Sequence, residues 1–156
     1  KNPIAIRYPR GRGKLIDWKK SFSKIEIGKG VTIKEGKSIA ILSIGTIINN
    51  VTKAIENCSK PFEVSSYDMR FVKPLDENLL HSIFKKHKII ITIEDGILLG
   101  GFGSSILEFA SKKNYHIPII TLGISDDFPN QGTVDELQDI AGISSKKIIQ
   151  TLNTFI

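Results

Sequence analysis

The sequence predicts an α/β fold, with a mostly parallel sheet enclosed between helices in three α/β/α layers, on two observations. Short aliphatic runs of strand length alternate with stretches whose apolar residues recur every three or four positions. The runs are apolar at consecutive rather than alternate positions, so both faces of the sheet need cover from the intervening helices. The chain has 156 residues, 40% of them apolar and 24% charged, enough for one domain with a real core.

Taken in order, residues 3–9 are short alternating material stopped by Pro9 and by Arg10-Gly11-Arg12-Gly13, which reads as the end of one unit (1–13). Residues 14–37 are charged and weakly periodic, a linker with one or two short strands at Ile25-Glu26-Ile27 and Val31-Thr32-Ile33. The domain proper is 38–156. Its first strand is Ile39 to Ile44, and the helix after it carries Ile47, Ile48, Val51, Ala54, Ile55 and Cys58 as one stripe. Phe62 to Asp68 is a second strand. Asp76 is placed to cap a helix whose Leu79, Leu80, Ile83 and Phe84 face inward. A third strand spans Lys88 to Ile93, a third helix Gly103 to Lys113, and a fourth strand Ile117 to Leu122. Thr133 and Glu136 have capping-box spacing, and Gly142 stops that helix. Ser144 or Ser145 starts the last one, with Ile148, Ile149, Leu152, Phe155 and Ile156 on one side.

Composition excludes several classes. No apolar stretch approaches the roughly 18 residues of a membrane span. One cysteine, Cys58, cannot form an internal disulfide, and no basic start leads into an apolar signal region, so a reducing, cytoplasmic compartment is expected. The only Met is Met69, and Lys1 reads as a position within something longer. The net charge of +6 is unevenly spread. Residues 1–37 hold eleven basic side chains against three acidic, and the rest holds eleven against thirteen. A basic arm on a slightly acidic domain does not make a nucleic-acid surface by itself.

Two glycine-rich segments fail the phosphate-loop tests. Before Gly36-Lys37-Ser38 the required first glycine is Val31, and a strand follows rather than a helix. In Gly101-Phe102-Gly103-Ser104-Ser105-Ile106 the third glycine of a dinucleotide fingerprint is Ile106. That helix start could still hold an anion, or its glycines could serve close backbone packing. His81 and His87 do not share a helix face as metal ligands would, and with His116 they read as surface or interface residues. Glu94-Asp95 closes the third strand, where open sheets place ligands, but adjacent strand residues face opposite ways. They suit hydrogen bonding or an interface as well as catalysis. Arg7 and Arg10, flanking Tyr8-Pro9, could grip a phosphate ester bidentately or belong to a solvated linker.

Several stretches together resemble one family. Arg7-Tyr8-Pro9-Arg10-Gly11, Ile25 to Gly30, Ser43-Ile44-Gly45-Thr46, Asp68 to Asp76 (Asp-Met-Arg-Phe-Val-Lys-Pro-Leu-Asp), Thr92 to Gly96 and Gly100 to Ser104 occur in this order, as in the C-terminal part of the 1-deoxy-D-xylulose-5-phosphate synthases. The resemblance implies a transketolase-type C-terminal domain, with a five-stranded sheet and one antiparallel edge strand, following the last strand of a pyrimidine-binding domain. It implies a cytoplasmic homodimeric transferase. With thiamine diphosphate and Mg2+ it would condense pyruvate with D-glyceraldehyde 3-phosphate, releasing CO2, to supply isoprenoid, thiamine and pyridoxal synthesis. Arg10 is similar to the arginine that grips the aldehyde's phosphate, with Tyr8 and Arg7 as neighbouring candidates. The family's cofactor-activating glutamate and substrate histidines have no counterpart here, so no catalytic, cofactor or metal residue is expected in this sequence, nor synthase activity from it alone. Where many relatives read Phe-Ile-Glu-His-Gly, this chain has Phe128-Pro129-Asn130-Gln131-Gly132. A transketolase, a 2-oxoacid dehydrogenase β subunit and a non-catalytic module binding an anion or partner are the alternatives. Neither nucleic acid nor membrane is an expected partner.

Overall fold

The computed structural model describes residues 3–6, 8, 21 and 23–156. Five strands form one sheet: β1 (Val31–Lys34), β2 (Ile39–Ile44), β3 (Val64–Asp68), β4 (Ile89–Ile97) and β5 (Ile119–Ile124). Five helices cover it: α1 (Ile48–Asn57), α2 (Glu77–Lys86), α3 (Phe102–Lys112), α4 (Val134–Ile140) and α5 (Ser145–Asn153). The strand order is β1-β3-β2-β4-β5, with only the β1–β3 pair antiparallel.

Consecutive apolar residues in the strands do what their pattern requires, sending alternate side chains to opposite cores. Ile39, Ile41, Ile91 and Ile93 pack with Val51, Ala54 and Ile55 of α1 and with Ile148 and Leu152 of α5. Ala40, Leu42 and Ile90 pack with Leu80, Ile83 and Phe84 of α2 and with Phe102, Ile106 and Phe109 of α3. Each fully buried Ile, Leu or Phe contributes about 1.5–3 kcal/mol, so the two cores supply most of the driving force. The helix starts are capped as the sequence predicts. The Asp76 carboxylate accepts the Leu79 N–H at 3.1 Å, Thr133 and Glu136 form a reciprocal capping box, and Ser144 accepts the Lys147 N–H at 3.3 Å.

The structure moves several expected boundaries. Pro61–Glu63 form a 3₁₀ turn, so the strand foreseen from Phe62 begins at Val64. The turn's Glu63 carbonyl accepts the N–H groups of Lys37 and Ser38. β4 runs on to Ile97, and β5 is shifted two residues along, to Ile119–Ile124. Ile25-Glu26-Ile27 forms no strand. The short strand expected at Val31-Thr32-Ile33 within the linker is present as Val31–Lys34, and it is the antiparallel edge strand. It is held there because Lys34 Nζ donates to the carbonyls of Pro61 and Val64 at 2.5 and 3.1 Å. At the end of α5 the foreseen apolar side is incomplete, for Ile148 and Leu152 are buried while Phe155 is exposed. No helix among the described residues is long and apolar enough to cross a membrane.

Candidate functional site

β2 leads through α1 on one face to β3, and its neighbour β4 leads through α3 on the other face to β5. The connections leaving β2 and β4 therefore diverge, and a crevice opens at the carboxyl ends of these neighbouring strands. It is an open crevice of about 1090 Å³. Its walls are Ile44-Gly45-Thr46 after β2, Glu94 to Ile97 at the end of β4, Ile124, Ser125 and Asp127 after β5, Val134 and Gln138 on α4, and Tyr8.

The two carboxylates of β4 face opposite ways, as strand geometry demands, and do different work. Glu94 is 7% exposed and aims at the start of α3. There it accepts the Phe102 N–H through Oε2 at 2.9 Å and the Gly103 N–H through Oε1 at 2.8 Å. The first turn of a helix has N–H groups with no partner inside the helix, and its partial positive charge favours an anion. Glu94 is that anion. Both readings of the Gly-Gly-Phe-Gly segment are thus met at once. A Cβ on Gly101 would stand 2.5 and 2.8 Å from the Glu94 oxygens, and one on Gly103 would stand 2.8 Å from Thr92 Oγ1. The glycines let β4, its carboxylate and α3 come together.

Asp95, on the other side of β4, is exposed and accepts from Gln138 Nε2 at 3.0 Å. Gln138 Oε1 in turn accepts from Asn50 Nδ2 at 2.8 Å, and Asn50 also donates to the Ile143 carbonyl. The crevice wall is thereby tied across α4 to α1. Nothing in the spacing of Asn50, Asp95 and Gln138 announces this chain of bonds, which exists only once the sheet brings them together.

The histidines separate. His87 is buried, contrary to the surface or interface place expected of it. Its Nδ1 lies 3.0 Å from the Ile83 carbonyl, and its Nε2 lies 2.9 Å from Ser65 Oγ, which also accepts the Gly36 N–H at 2.7 Å. Donation from Nδ1 and acceptance at Nε2 require the neutral ring, and burial lowers its pKa below the usual value. His81 is half-buried, with Nδ1 2.6 Å from the Tyr115 hydroxyl. No group of three or more His, Cys, Asp or Glu able to hold a metal occurs among the described residues. Gly36-Lys37-Ser38 leads straight into β2, which leaves no helix start for a phosphate. Of the expected substrate residues, Tyr8 stands at the crevice wall, while Arg7 and Arg10 lie outside the described residues.

With the fold and the crevice defined, comparison with known proteins decides the family. Residues 28–148 match the family described as transketolase, C-terminal domain. The chain belongs to this family. The matched span opens at Gly28, just before β1, and closes within α5. In sequence the transketolase-type domain is similar to 1-deoxy-D-xylulose-5-phosphate synthases. It is 46% identical to that of Phocaeicola vulgatus over 99% of this chain and 25% of the relative, and 47% identical to that of Cytophaga hutchinsonii over 97% and 24%. The synthase of Vibrio campbellii is 40% identical over 99% and 24%. The chain thus spans about a quarter of the length of the curated relatives it matches. Among solved structures, a split-gene transketolase described as an inactive β4 tetramer superposes with a TM-score of 0.74 at 25% identity, over 85% of this chain and 42% of that one. A Campylobacter jejuni transketolase shares the fold, with a TM-score of 0.57 at 14% identity over 81% and 18%.

Proposed function

We propose that this transketolase-type domain is the C-terminal part of a cytoplasmic, homodimeric 1-deoxy-D-xylulose-5-phosphate synthase, condensing pyruvate with D-glyceraldehyde 3-phosphate and releasing CO2. Its product would feed isoprenoid, thiamine and pyridoxal synthesis. The observation that carries the reading is identity above 40% to two such synthases along nearly the whole chain. A transketolase is the weaker alternative, since the two solved transketolases described above are 25% and 14% identical.

Thiamine diphosphate and Mg2+ do not fit the described residues. Their one glycine-rich helix start, where a diphosphate would find free N–H groups, is already filled by the Glu94 carboxylate. Among the described residues no group of three or more His, Cys, Asp or Glu side chains could hold the metal. In this reading the cofactor and its metal are held by the other three-quarters of the synthase. Residues 1–13 then end its pyrimidine-binding domain, 14–37 form a linker that carries the edge strand β1, and 38–156 support the dimer and close over the site. The chain's own contribution to substrate binding is Arg10, whose guanidinium grips the aldehyde phosphate through two parallel hydrogen bonds, with Tyr8 and Arg7 beside it.

The test is to express the full-length reading frame and assay it with thiamine diphosphate, Mg2+, pyruvate and D-glyceraldehyde 3-phosphate. Formation of 1-deoxy-D-xylulose 5-phosphate by the long polypeptide, and none by the 156-residue chain, is the expected result. Turnover by the short chain, or transfer from a ketose phosphate donor in place of pyruvate, would overturn it.

A further inference from the structure

We infer that the carboxyl edge of the sheet, from the β4–α3 connection to α4, is the seat of the preceding part of the same polypeptide. The inference rests on the reading of this chain as the end of a longer synthase, and it concerns a surface which that reading does not specify.

Apolar side chains gather on this edge without cover. Ile97 projects from the end of β4 and Leu99 from the connection after it, the latter 67% exposed. Phe128, in the loop after β5, is completely exposed, and Ile140 on α4 is 76% exposed, with Val134 one helix face away. The two loops are laced together, because the Leu98 N–H donates to the Ile124 carbonyl at 2.9 Å. Between β5 and α4 a groove of about 350 Å³ runs over Ile124, Pro129, Val134, Leu137 and Ile143, with Asp95 and Asp127 on its rim. An apolar groove with an acidic rim and protruding aromatic and aliphatic residues has the composition of an interface core rather than of a solvated surface.

Three observations choose the occupant. The chain is about a quarter as long as the synthases it resembles, so most of such a polypeptide remains to be accommodated. Tyr8 stands on the wall of the crevice that shares Ile124, Asp127, Val134 and Gln138 with the groove, which puts residue 8 at this edge. The N-terminal segment also exposes Ile4, Ile6 and Tyr8, each more than 80% accessible. Charge agrees with this. Asp95 and Asp127 have no cationic partner among the described residues. The sequence after Tyr8 supplies Arg12 besides the arginines assigned to the substrate phosphate.

Hydrogen exchange tests the assignment without using activity. Amide exchange over residues 96–101 and 126–140 is compared in the full-length polypeptide and in the 156-residue chain, each at two concentrations tenfold apart. Slowing by roughly tenfold or more in the long polypeptide, independent of concentration, is expected. The triple variant Phe128→Ser, Val134→Ser, Ile140→Ser of the long polypeptide should lose that protection, while amides of β2 and β4 stay protected. Phe128→Ser alone should lose part of it, which guards against misfolding of the triple variant. Equal exchange in the two polypeptides would overturn the inference. So would protection that appears in the short chain only on concentration, which would give the surface to a second copy. A long polypeptide that shows the protection but makes no 1-deoxy-D-xylulose 5-phosphate would refute the proposed activity and leave the docking surface standing.

Discussion

Replacing Glu94 by Gln removes one charge and changes nothing else in size, which makes it the sharpest probe of how β4 and α3 are joined. The carboxylate is nearly buried and holds two N–H groups of the first turn of α3, at 2.9 and 2.8 Å. The amide keeps one acceptor oxygen and turns its NH2 toward the other N–H. One charge-assisted hydrogen bond is lost, worth about 1.5–3 kcal/mol, and a buried donor is left without a partner. Loss of the favourable end charge on the helix adds about 0.5–1 kcal/mol. Against this, a buried carboxylate no longer has to be stripped of water, which returns part of the cost. The net expectation is a loss of about 2–3 kcal/mol, or roughly 5–10 °C in Tm for a domain of this size. Urea titration followed by circular dichroism measures it, and the amide resonances of Phe102 and Gly103 should move together. A variant within about 0.5 kcal/mol of the parent, with those two resonances unmoved, would refute the account of Glu94 as the internal anion.

Two further perturbations concern the amino ends of the strands. His87 is held neutral and its pKa is lowered by burial, so the folded chain resists a proton that the unfolded chain accepts. The stability it contributes is complete above the ordinary histidine pKa of about 6.5 and is lost as pH falls below that value. Urea midpoints measured from pH 7.5 to pH 5 should fall more steeply for the parent than for His87→Gln, and parallel curves would count against the assignment. Gly36→Ala should destabilise by about 2 kcal/mol or more, because the new Cβ would collide with the Val64 carbonyl carbon and stand 2.6 Å from the Ser65 nitrogen. An unchanged urea midpoint would mean that β1 and β3 can separate there without loss.

Most of the architecture was legible because each element carries its own local signal. The aliphatic run Ile39 to Leu42 could only be a strand covered on both sides, and Asp76, Thr133 and Ser144 announced their helices by cap chemistry. What was not legible depends on contacts distant in sequence. Val31–Lys34 was legible as a short strand, but its partner was not: it pairs with β3, a contact far along the chain, and Lys34 finds the Pro61 and Val64 carbonyls. His87 lacked the spacing of a metal ligand and read as a surface or interface residue, yet Ser65 and the Ile83 carbonyl satisfy both ring nitrogens inside. The site shows the same division. Strand alternation correctly set Glu94 and Asp95 on opposite faces, but the anion at the start of α3 could not be identified as Glu94 without knowing that β4 runs on to Ile97. Gln138 gave no signal, since a Gln on an amphipathic helix is ordinary until its two partners are in place.

The central claim, that this domain ends a synthase whose acceptor carries a phosphate, is tested most directly by Arg10→Ala in the full-length polypeptide. Removing a bidentate guanidinium–phosphate contact costs about 2–4 kcal/mol, so KM for D-glyceraldehyde 3-phosphate should rise roughly 30-fold or more. KM for pyruvate should change less than about threefold, because pyruvate has no phosphate to grip. Equal changes in the two constants, or none in either, would contradict the account.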